Sequence, residues 1–177
     1  MLTLRHQVEE KMKKYLFSMV MATFLLVSCA TQQERVEKRE QTRTAITEAV
    51  SKRRLHIDVS WMNTLKFGSK MVSSDFFLEL RGDTLQSYLP YMGQAYQATM
   101  TTPSQGLNFV VRTKGIHESR PKKNFTQLEM EARTDEDNYR YIIEIYDTGK
   151  ANIRVHSIHR DPVSFEGYAL PMDEAAK

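Results

Sequence analysis

The sequence contains a single cysteine, Cys29, so an internal disulfide is not available to the chain. It also contains no Gly-x-Ser-x-Gly, phosphate-loop or His-Glu-x-x-His motif, so no standard catalytic signature indicates an enzyme. No apolar run reaches the roughly 20 residues that a membrane-spanning helix needs. Internal repeats and low-complexity tracts are absent as well.

The longest apolar run covers residues 15–27 and follows three lysines. A basic head, an apolar middle and a small residue before the cut are typical of a secretory signal. The run leads into Leu26-Val27-Ser28-Cys29, which resembles a bacterial lipobox. That resemblance implies acylation of Cys29 and cleavage before it, so residues 1–28 are predicted to be a lipoprotein signal peptide. Two or three acyl chains would then anchor the protein stably to a membrane.

The first eleven residues fit this signal poorly, because Glu9 and Glu10 are unusual in a basic head region. Met12-Lys13-Lys14 reads as a complete signal start by itself. We therefore expect translation to begin at Met12, with residues 1–11 a gene-start artefact.

The lipobox resemblance also implies where the protein resides, through the residues that follow Cys29. Ala30 rather than Asp follows the cysteine, which in many Gram-negative systems favours the outer membrane. Some surface-exported lipoproteins carry an acidic run directly after the cysteine, and this chain has none there. The expected location is therefore the cell envelope, on the periplasmic leaflet of the outer membrane.

The formal net charge of +3 comes partly from the signal. Removing residues 1–28, with four basic and two acidic residues, leaves 21 basic and 20 acidic residues. A nearly neutral chain argues against nucleic acid as a partner, because phosphate binding needs a surplus of cations. The remaining ~150 residues suit one domain with a sizeable core.

A polar, charge-rich segment follows the cysteine, and residues 29–41 are predicted to be a tether. A narrow apolar stripe then has helical spacing. The stripe consists of Ala45, Ile46, Ala49 and Val50. It predicts a helix from about Thr42 to near Arg53, with the cations of its last turn placed favourably for the helix dipole.

From Leu55 onwards the apolar period changes to two, which is typical of half-buried strands. The predicted inward positions are Leu55, Ile57, Val59, Trp61, Phe76, Leu78, Leu80, Leu107, Phe109, Val111, Leu128, Met130, Ala132, Tyr139, Tyr141, Ile143, Ile145, Ala151, Ile153 and Val155. Such clean alternation favours an antiparallel sheet with one solvated face.

The predicted fold class is α+β, mainly β, with one N-terminal helix. Its single antiparallel, curved sheet has seven or eight strands, arranged as a sandwich or an open barrel. The domain is expected to cover residues 42–170 and to end in a loose tail, 171–177. Two longer loops are expected, around Pro90–Gln105 and Gly115–Lys123.

Three motifs carry a resemblance to a known family. They are Gly82-Asp83-Thr84-Leu85-Gln86-Ser87-Tyr88-Leu89-Pro90-Tyr91-Met92-Gly93-Gln94-Ala95-Tyr96, Gly106-Leu107-Asn108-Phe109 and Pro162-Val163-Ser164-Phe165-Glu166-Gly167-Tyr168. Over roughly residues 45–170 the chain resembles the exported bacterial proteins grouped as domain of unknown function 4251. Met92 and Leu107 depart from the family pattern. The family has no established activity, so the resemblance implies architecture and export but no chemistry.

The first motif places Tyr88, Tyr91 and Tyr96 within nine positions. In a structural interpretation, the loop caps the open end of the sheet and its tyrosines pack on the core. In a functional interpretation, the three rings form an aromatic rim that binds a lipid, glycan or peptide. Both alternatives stay open at the level of the sequence.

No catalytic residue, metal site or cofactor is predicted. His56 and Asp58 share a strand face, but two ligands do not make a metal site. Asp135-x-Asp137-Asn138 lacks the Gly and the distal Glu of a calcium loop.

Three functions are therefore considered for the chain. The first is a non-catalytic envelope lipoprotein that binds an envelope protein or a small ligand. The second is a small-ligand carrier that uses the Tyr-rich loop. The third is a hydrolase, which requires a third polar group beside His56 and Asp58.

Overall fold

The computed structural model describes residues 32–93 and 106–172, and a helix, α1, covers residues 32–51. The chain divides into two compact units, Met1–Gln41 and Thr42–Lys177. The first half of α1 belongs to the first unit, where residues 32–41 are all exposed. The prediction that the helix starts near Thr42 is therefore wrong, because an exposed polar helix carries no apolar stripe from which to recognise it. A tether role for residues 29–41 stays a prediction.

The second half of α1 belongs to the second unit and buries the predicted stripe. Ile46, Ala49 and Val50 join the hydrophobic core, while Ala45 is half-buried. The predicted helix end near Arg53 is confirmed, since Arg53 adopts a left-handed φ of 52° directly after the last turn.

The described residues form ten strands. These are β1 Arg54–Thr64, β2 Gly68–Met71, β3 Phe77–Arg81, β4 Thr84–Pro90, β5 Gly106–Arg112, β6 Lys114–Lys122, β7 Phe125–Arg133, β8 Asn138–Tyr146, β9 Lys150–Ser157 and β10 Val163–Pro171. They form one antiparallel sheet in the order β5-β4-β3-β1-β10-β9-β8-β7-β6. The short strand β2 pairs with the second half of β1, and β3 pairs with its first half. The predicted class, a mainly β fold with one antiparallel curved sheet and an N-terminal helix, is confirmed.

Two segments add to the predicted number of strands. The segment Gly115–Lys123, predicted as a loop, lies largely in β6, and β2 was not predicted. Both strands lack apolar alternation, because β2 is exposed at all four positions and β6 at most of its nine. Strand pairing rather than a buried face therefore defines them, and pairing leaves no periodic signal in a sequence.

The predicted inward positions form the core, with one exception at Trp61. A β-bulge at Ser60 adds one residue to β1 opposite β10 and so reverses the alternation beyond it. Met62 is consequently buried, at 1% exposure, whereas Trp61 is 42% exposed. The prediction that Trp61 faces the core is wrong for this reason.

The sheet curls into a half-barrel, so its apolar face lines the interior. Side chains from distant strands meet there: the Phe109 ring of β5 stacks on the Tyr139 ring of β8 at 5.2 Å. The hydroxyl of Tyr141 donates to Ser87 Oγ of β4 at 3.1 Å, and both groups are buried. The core therefore combines side chains of β4 and β5 with side chains of β8.

The second half of α1 lies across one end of this unit. Arg43 Nε lies 3.5 Å from Asp147 Oδ2 in the β8–β9 turn. At the other end of the helix, the amide of Gly82 in the β3–β4 turn donates to the carbonyl of Arg53 at 2.8 Å. The second half of α1 thus contacts the β8–β9 turn at one end and the β3–β4 turn at the other.

Candidate functional site

Tyr88, the first predicted site residue, lies on the solvated face of β4. Its ring is 42% exposed and contacts Phe76 and Phe77, with ring centroids 5.5 and 5.7 Å apart. The motif residues Leu85, Ser87 and Leu89 point the other way and are buried. This arrangement places the Tyr88 ring on the outer surface of the sheet.

Tyr91 lies just past the end of β4 and packs inward against the core. Its hydroxyl donates to the carbonyl of Asp161 at 3.2 Å, as the structural interpretation of the loop expects. The structure therefore does not bring Tyr88 and Tyr91 to one surface. Tyr96 and Cys29 lie outside the described residues, and their predicted roles in ligand binding and lipidation stay predictions.

A buried charged cluster surrounds Tyr91. Arg160 is only 8% exposed, and its guanidinium lies 5.3 Å from the centroid of the Tyr91 ring and 2.9 Å from Glu136 Oε2. A buried cation of this kind needs both the carboxylate and the aromatic face to offset its lost hydration. The cluster thereby joins the loop after β4, the β7–β8 hairpin and the segment before β10.

Asp137 continues this cluster at the β7–β8 hairpin. Its carboxylate accepts hydrogen bonds from the hydroxyl of Ser157 and from the amide of Asn138. Ser157 Oγ in turn accepts from the amides of His159 and Arg160. The Asp137 carboxylate is thus committed to holding the loop, in line with a structural hairpin rather than a calcium loop.

Two interior tyrosines border the buried cluster. Burial raises the pKa of Tyr139 to about 12, with the charge of Arg160 opposing that shift. Burial likewise raises the pKa of Tyr141, and the hydrogen bond with Ser87 opposes it. Both phenols therefore stay neutral at physiological pH and act as packing and hydrogen-bonding groups.

His56 lies between two carboxylates on the outer face. Its Nδ1 is 2.8 Å from Glu79 Oε1, and its Nε2 is 2.9 Å from Asp58 Oδ1. The ring also stacks on Phe77 with centroids 5.3 Å apart. Glu79 is the third polar group that the hydrolase alternative requires. Both ring nitrogens are occupied, however, so neither is placed to take a proton from a nucleophile.

The pKa of Glu79 is lowered. Its partial burial is the largest single influence and opposes ionisation. Hydrogen bonds from His56 and Arg81, together with their positive charge, outweigh it. Arg81 Nη2 lies 2.8 Å from Glu79 Oε2. This carboxylate is therefore stabilised as an anion within a paired row on β1 and β3.

A surface pocket of about 400 Å³ opens where β6, β7, β8 and β9 run side by side. We call it the basic pocket. Its lining comprises Lys114, Glu131, Ala132, Arg133, Asn138, Tyr139, Arg140, His156, Ser157 and Ile158. The register explains how it assembles, because Glu131 pairs with Lys114 on one side and with Arg140 on the other, and Arg140 pairs with His156.

Electrostatically, the basic pocket carries three lysine or arginine side chains against one carboxylate. The charge of Arg140 is already paired, because its Nη2 lies 2.5 Å from Oε1 of Glu129, which is not among the pocket-lining residues. Within residues 32–93 and 106–172, Lys114 and Arg133 have no ion-pair partner within 4 Å. The aliphatic side chain of Ile158, 67% exposed, adds an apolar wall.

A second pocket, of about 310 Å³, differs in character. Its polar side chains largely bond to each other: Arg154 Nη2 lies 2.5 Å from Glu144 Oε1, and Asn63 Nδ2 donates to Glu166 at 3.0 Å. Tyr88 and Tyr91 line neither pocket. Among the residues placed in the structure, no group of three His, Cys, Asp or Glu side chains could hold a metal ion.

The family model described as "Domain of unknown function (DUF4251)" matches residues 37–169. The chain belongs to the DUF4251 family. The family resemblance read from the three motifs is thereby confirmed. No curated protein matches the chain.

The fold also resembles a solved DUF4251 structure. A DUF4251 family protein from Bacteroides eggerthii DSM 20697 superposes with a TM-score of 0.58 at 10% sequence identity. The match covers 76% of this chain and 91% of that one. At this identity the likeness is one of fold alone. In the described part of this DUF4251 chain, no helix has the length and apolar character needed to cross a membrane.

The described DUF4251 motif residues have structural roles. Gly82 turns the β3–β4 hairpin at a φ of 63°, Ser87 bonds Tyr141, and a Cβ at Gly93 would overlap the Tyr91 hydroxyl. Gly167 lies so close to β1 that a Cβ there would overlap the carbonyl oxygen of Asp58. These motif residues therefore contribute to the fold.

Sequence reasoning missed the basic pocket and the partners of Arg160. The outward positions on β7 to β9 were interpreted as a solvated face, and nothing in a single strand distinguishes a solvated cation from one beside a pocket. Only the lateral order of strands, which depends on long-range pairing, places Lys114 near His156.

Proposed function

We propose that this DUF4251 protein is a non-catalytic, lipid-anchored binding module of the cell envelope. Acylated Cys29 would hold it on the periplasmic leaflet of the outer membrane, as the lipobox resemblance indicates. The basic pocket would take a ligand that has an anionic group and an apolar part.

The observation that carries this proposal is the pair of unmatched cations beside an apolar wall. Lys114 and Arg133 have no ion-pair partner within 4 Å among the described residues, whereas Arg154, the cation of the second pocket, is paired with Glu144. An anionic ligand would supply the missing charge, and its apolar part would cover Ile158. Carboxylate and phosphate groups share this chemistry.

The hydrogen bonding of the polar clusters supports a role without catalysis. His56 uses both ring nitrogens on carboxylates, and Arg160 is committed to Glu136 and Tyr91. A catalytic group instead needs an unoccupied lone pair or proton aimed at substrate. The carrier alternative based on the Tyr-rich loop is disfavoured, since Tyr88 and Tyr91 occupy different environments.

The proposal is tested by purifying the acylated protein from its native envelope and identifying what accompanies it by mass spectrometry. The wild type should carry an anionic small molecule that an Arg133→Glu variant loses at least tenfold. Lys150→Glu is the matched control, because Lys150 is exposed at the opposite end of β9, outside the pocket lining. That variant should keep the ligand.

Other results would contradict the proposal in distinct ways. Equal recovery of a small molecule from both variants would remove the basic pocket as its site. An accompanying protein without any small molecule would favour an assembly role instead. Turnover of the recovered molecule by the wild type would show catalysis.

A further inference from the structure

The β1–β2 hairpin, residues Trp61–Met71, exposes large apolar side chains that a soluble domain would ordinarily bury. Trp61 is 42% exposed, Leu65 74%, Phe67 53% and Met71 72%. All four residues of β2 are exposed as well. Apolar exposure concentrated on one hairpin marks an interaction surface.

The hairpin is an ordered part of the sheet rather than a frayed loop. Gly68 takes a left-handed φ of 65°, and the Thr64 hydroxyl oxygen accepts from the amide of Phe67 at 3.1 Å. Trp61 and Met71 are directly paired across the two strands and so lie on one face. The three-residue turn then presents Leu65 and Phe67 at the tip.

The charge of the hairpin indicates which kind of surface it would contact. Lys66 and Lys70 lie among the apolar side chains, and Lys70 Nζ lies 5.4 Å from the centroid of the Phe67 ring. No acidic residue occurs between Asp58 and Asp75. A cationic, apolar tip that includes a tryptophan matches the headgroup region of an anionic bilayer.

Chain length keeps the start of the domain within reach of a membrane if Cys29 is acylated. Two residues, Ala30 and Thr31, separate Cys29 from the described start of α1, and ten helical residues lead from there to Thr42. This span is at most about 25 Å, from ~3.4 Å per extended and ~1.5 Å per helical residue. The domain therefore begins close to the lipid surface.

We propose that the β1–β2 hairpin inserts into the headgroup region of an anionic lipid bilayer, as a second membrane contact besides the acyl anchor. The inference rests on the membrane attachment proposed above but not on the basic pocket. Trp61 would lie at the interface, Leu65 and Phe67 would enter the acyl boundary, and the two lysines would contact lipid phosphates.

Trp61 also reports on this contact, because it is the only tryptophan of the chain. The acylated full chain is reconstituted into phosphatidylethanolamine–phosphatidylglycerol vesicles with or without brominated acyl chains. The brominated lipid should quench the emission of Trp61 in the wild type. A Leu65→Asp/Phe67→Asp double variant should reduce this quenching at least threefold. Val110→Asp is the control, since Val110 is 63% exposed on β5, and should be quenched like the wild type.

Two outcomes would overturn the inference. Equal quenching of wild type and double variant would place Trp61 near lipid through the anchor alone. Emission that changes with protein concentration but not with bromine would assign the hairpin to a second copy, paired through the edge of β2 that no described strand covers. Equal unfolding midpoints of the double variant and the wild type exclude misfolding. All variants keep Cys29, so a negative result leaves the proposed anchoring and ligand binding standing.

Discussion

At the scale of single residues, β1 passes so close to Gly167 of β10 that a Cβ there would overlap the carbonyl oxygen of Asp58. This position pairs with Val59, directly beside the β-bulge at Ser60. A side chain at position 167 has no space, and the obstacle is backbone rather than a flexible side chain. The glycine of the closing family motif is thus explained by packing.

Gly167→Ala is expected to destabilise the fold by about 4 kcal/mol or more, because two central strands must separate. The matched control is Gly82→Ala, where a Cβ meets open space and only the left-handed backbone is strained, by about 1 kcal/mol. Urea unfolding of both variants checks the difference. Similar losses in the two proteins would contradict the packing argument.

Glu79 provides a pH-dependent prediction. Its pKa in the folded protein lies below the ordinary value of 4.5, so its carboxylate stabilises the fold above that pH. This contribution is lost as the pH falls through the lowered pKa. Glu79→Gln should therefore cost about 1–2 kcal/mol at pH 7 and progressively less below pH 4.5. Glu131→Gln, at a carboxylate without an ion pair in the described part of the chain, should change little at either pH. A Glu79 effect that is constant from pH 7 to pH 3 would contradict this account.

At the scale of elements, the second half of α1 stabilises the half-barrel by covering part of its core. Ile46 is 5% exposed and Val50 3%, whereas Thr47 faces solvent. Ile46→Ala should lower the free energy of unfolding by about 2–4 kcal/mol through lost burial and a residual cavity. Thr47→Ala should change it by no more than about 0.5 kcal/mol. Equal midpoints in thermal unfolding would show that the helix does not contribute to the core.

The elements that could be predicted from sequence are those that bury one face. Leu78 and Leu80, or Ile143 and Ile145, alternate because each strand has an inner side. The elements that escaped prediction, β2, β6 and the first half of α1, are exposed and polar, so no periodic pattern marks them. Trp61 was misplaced because a bulge depends on how β1 pairs with β10, which sequence alternation does not record.

At the scale of the whole molecule, some features can be recognised in the sequence and others only in the structure. The three family motifs determine hairpins, close backbone approaches and loop contacts, and they were visible in the sequence. The basic pocket combines side chains from four strands between Lys114 and Ile158, so predicting it requires knowledge of the order of the strands in the sheet. The apolar surface of the β1–β2 hairpin could be recognised only from the structure, which shows Trp61 and Met71 exposed. The alternation in the sequence predicts that Trp61 faces inward.

The central claim, that the basic pocket is the ligand site, is tested most directly by photo-crosslinking in intact cells. A photoreactive amino acid replaces Ile158 at the pocket wall or, as control, Val110 on β5, both exposed apolar positions. The account predicts a small-molecule adduct at position 158 that is absent at position 110 and is lost when Arg133→Glu is added. Identical adducts at both positions, or an adduct at 158 that survives Arg133→Glu, would contradict it.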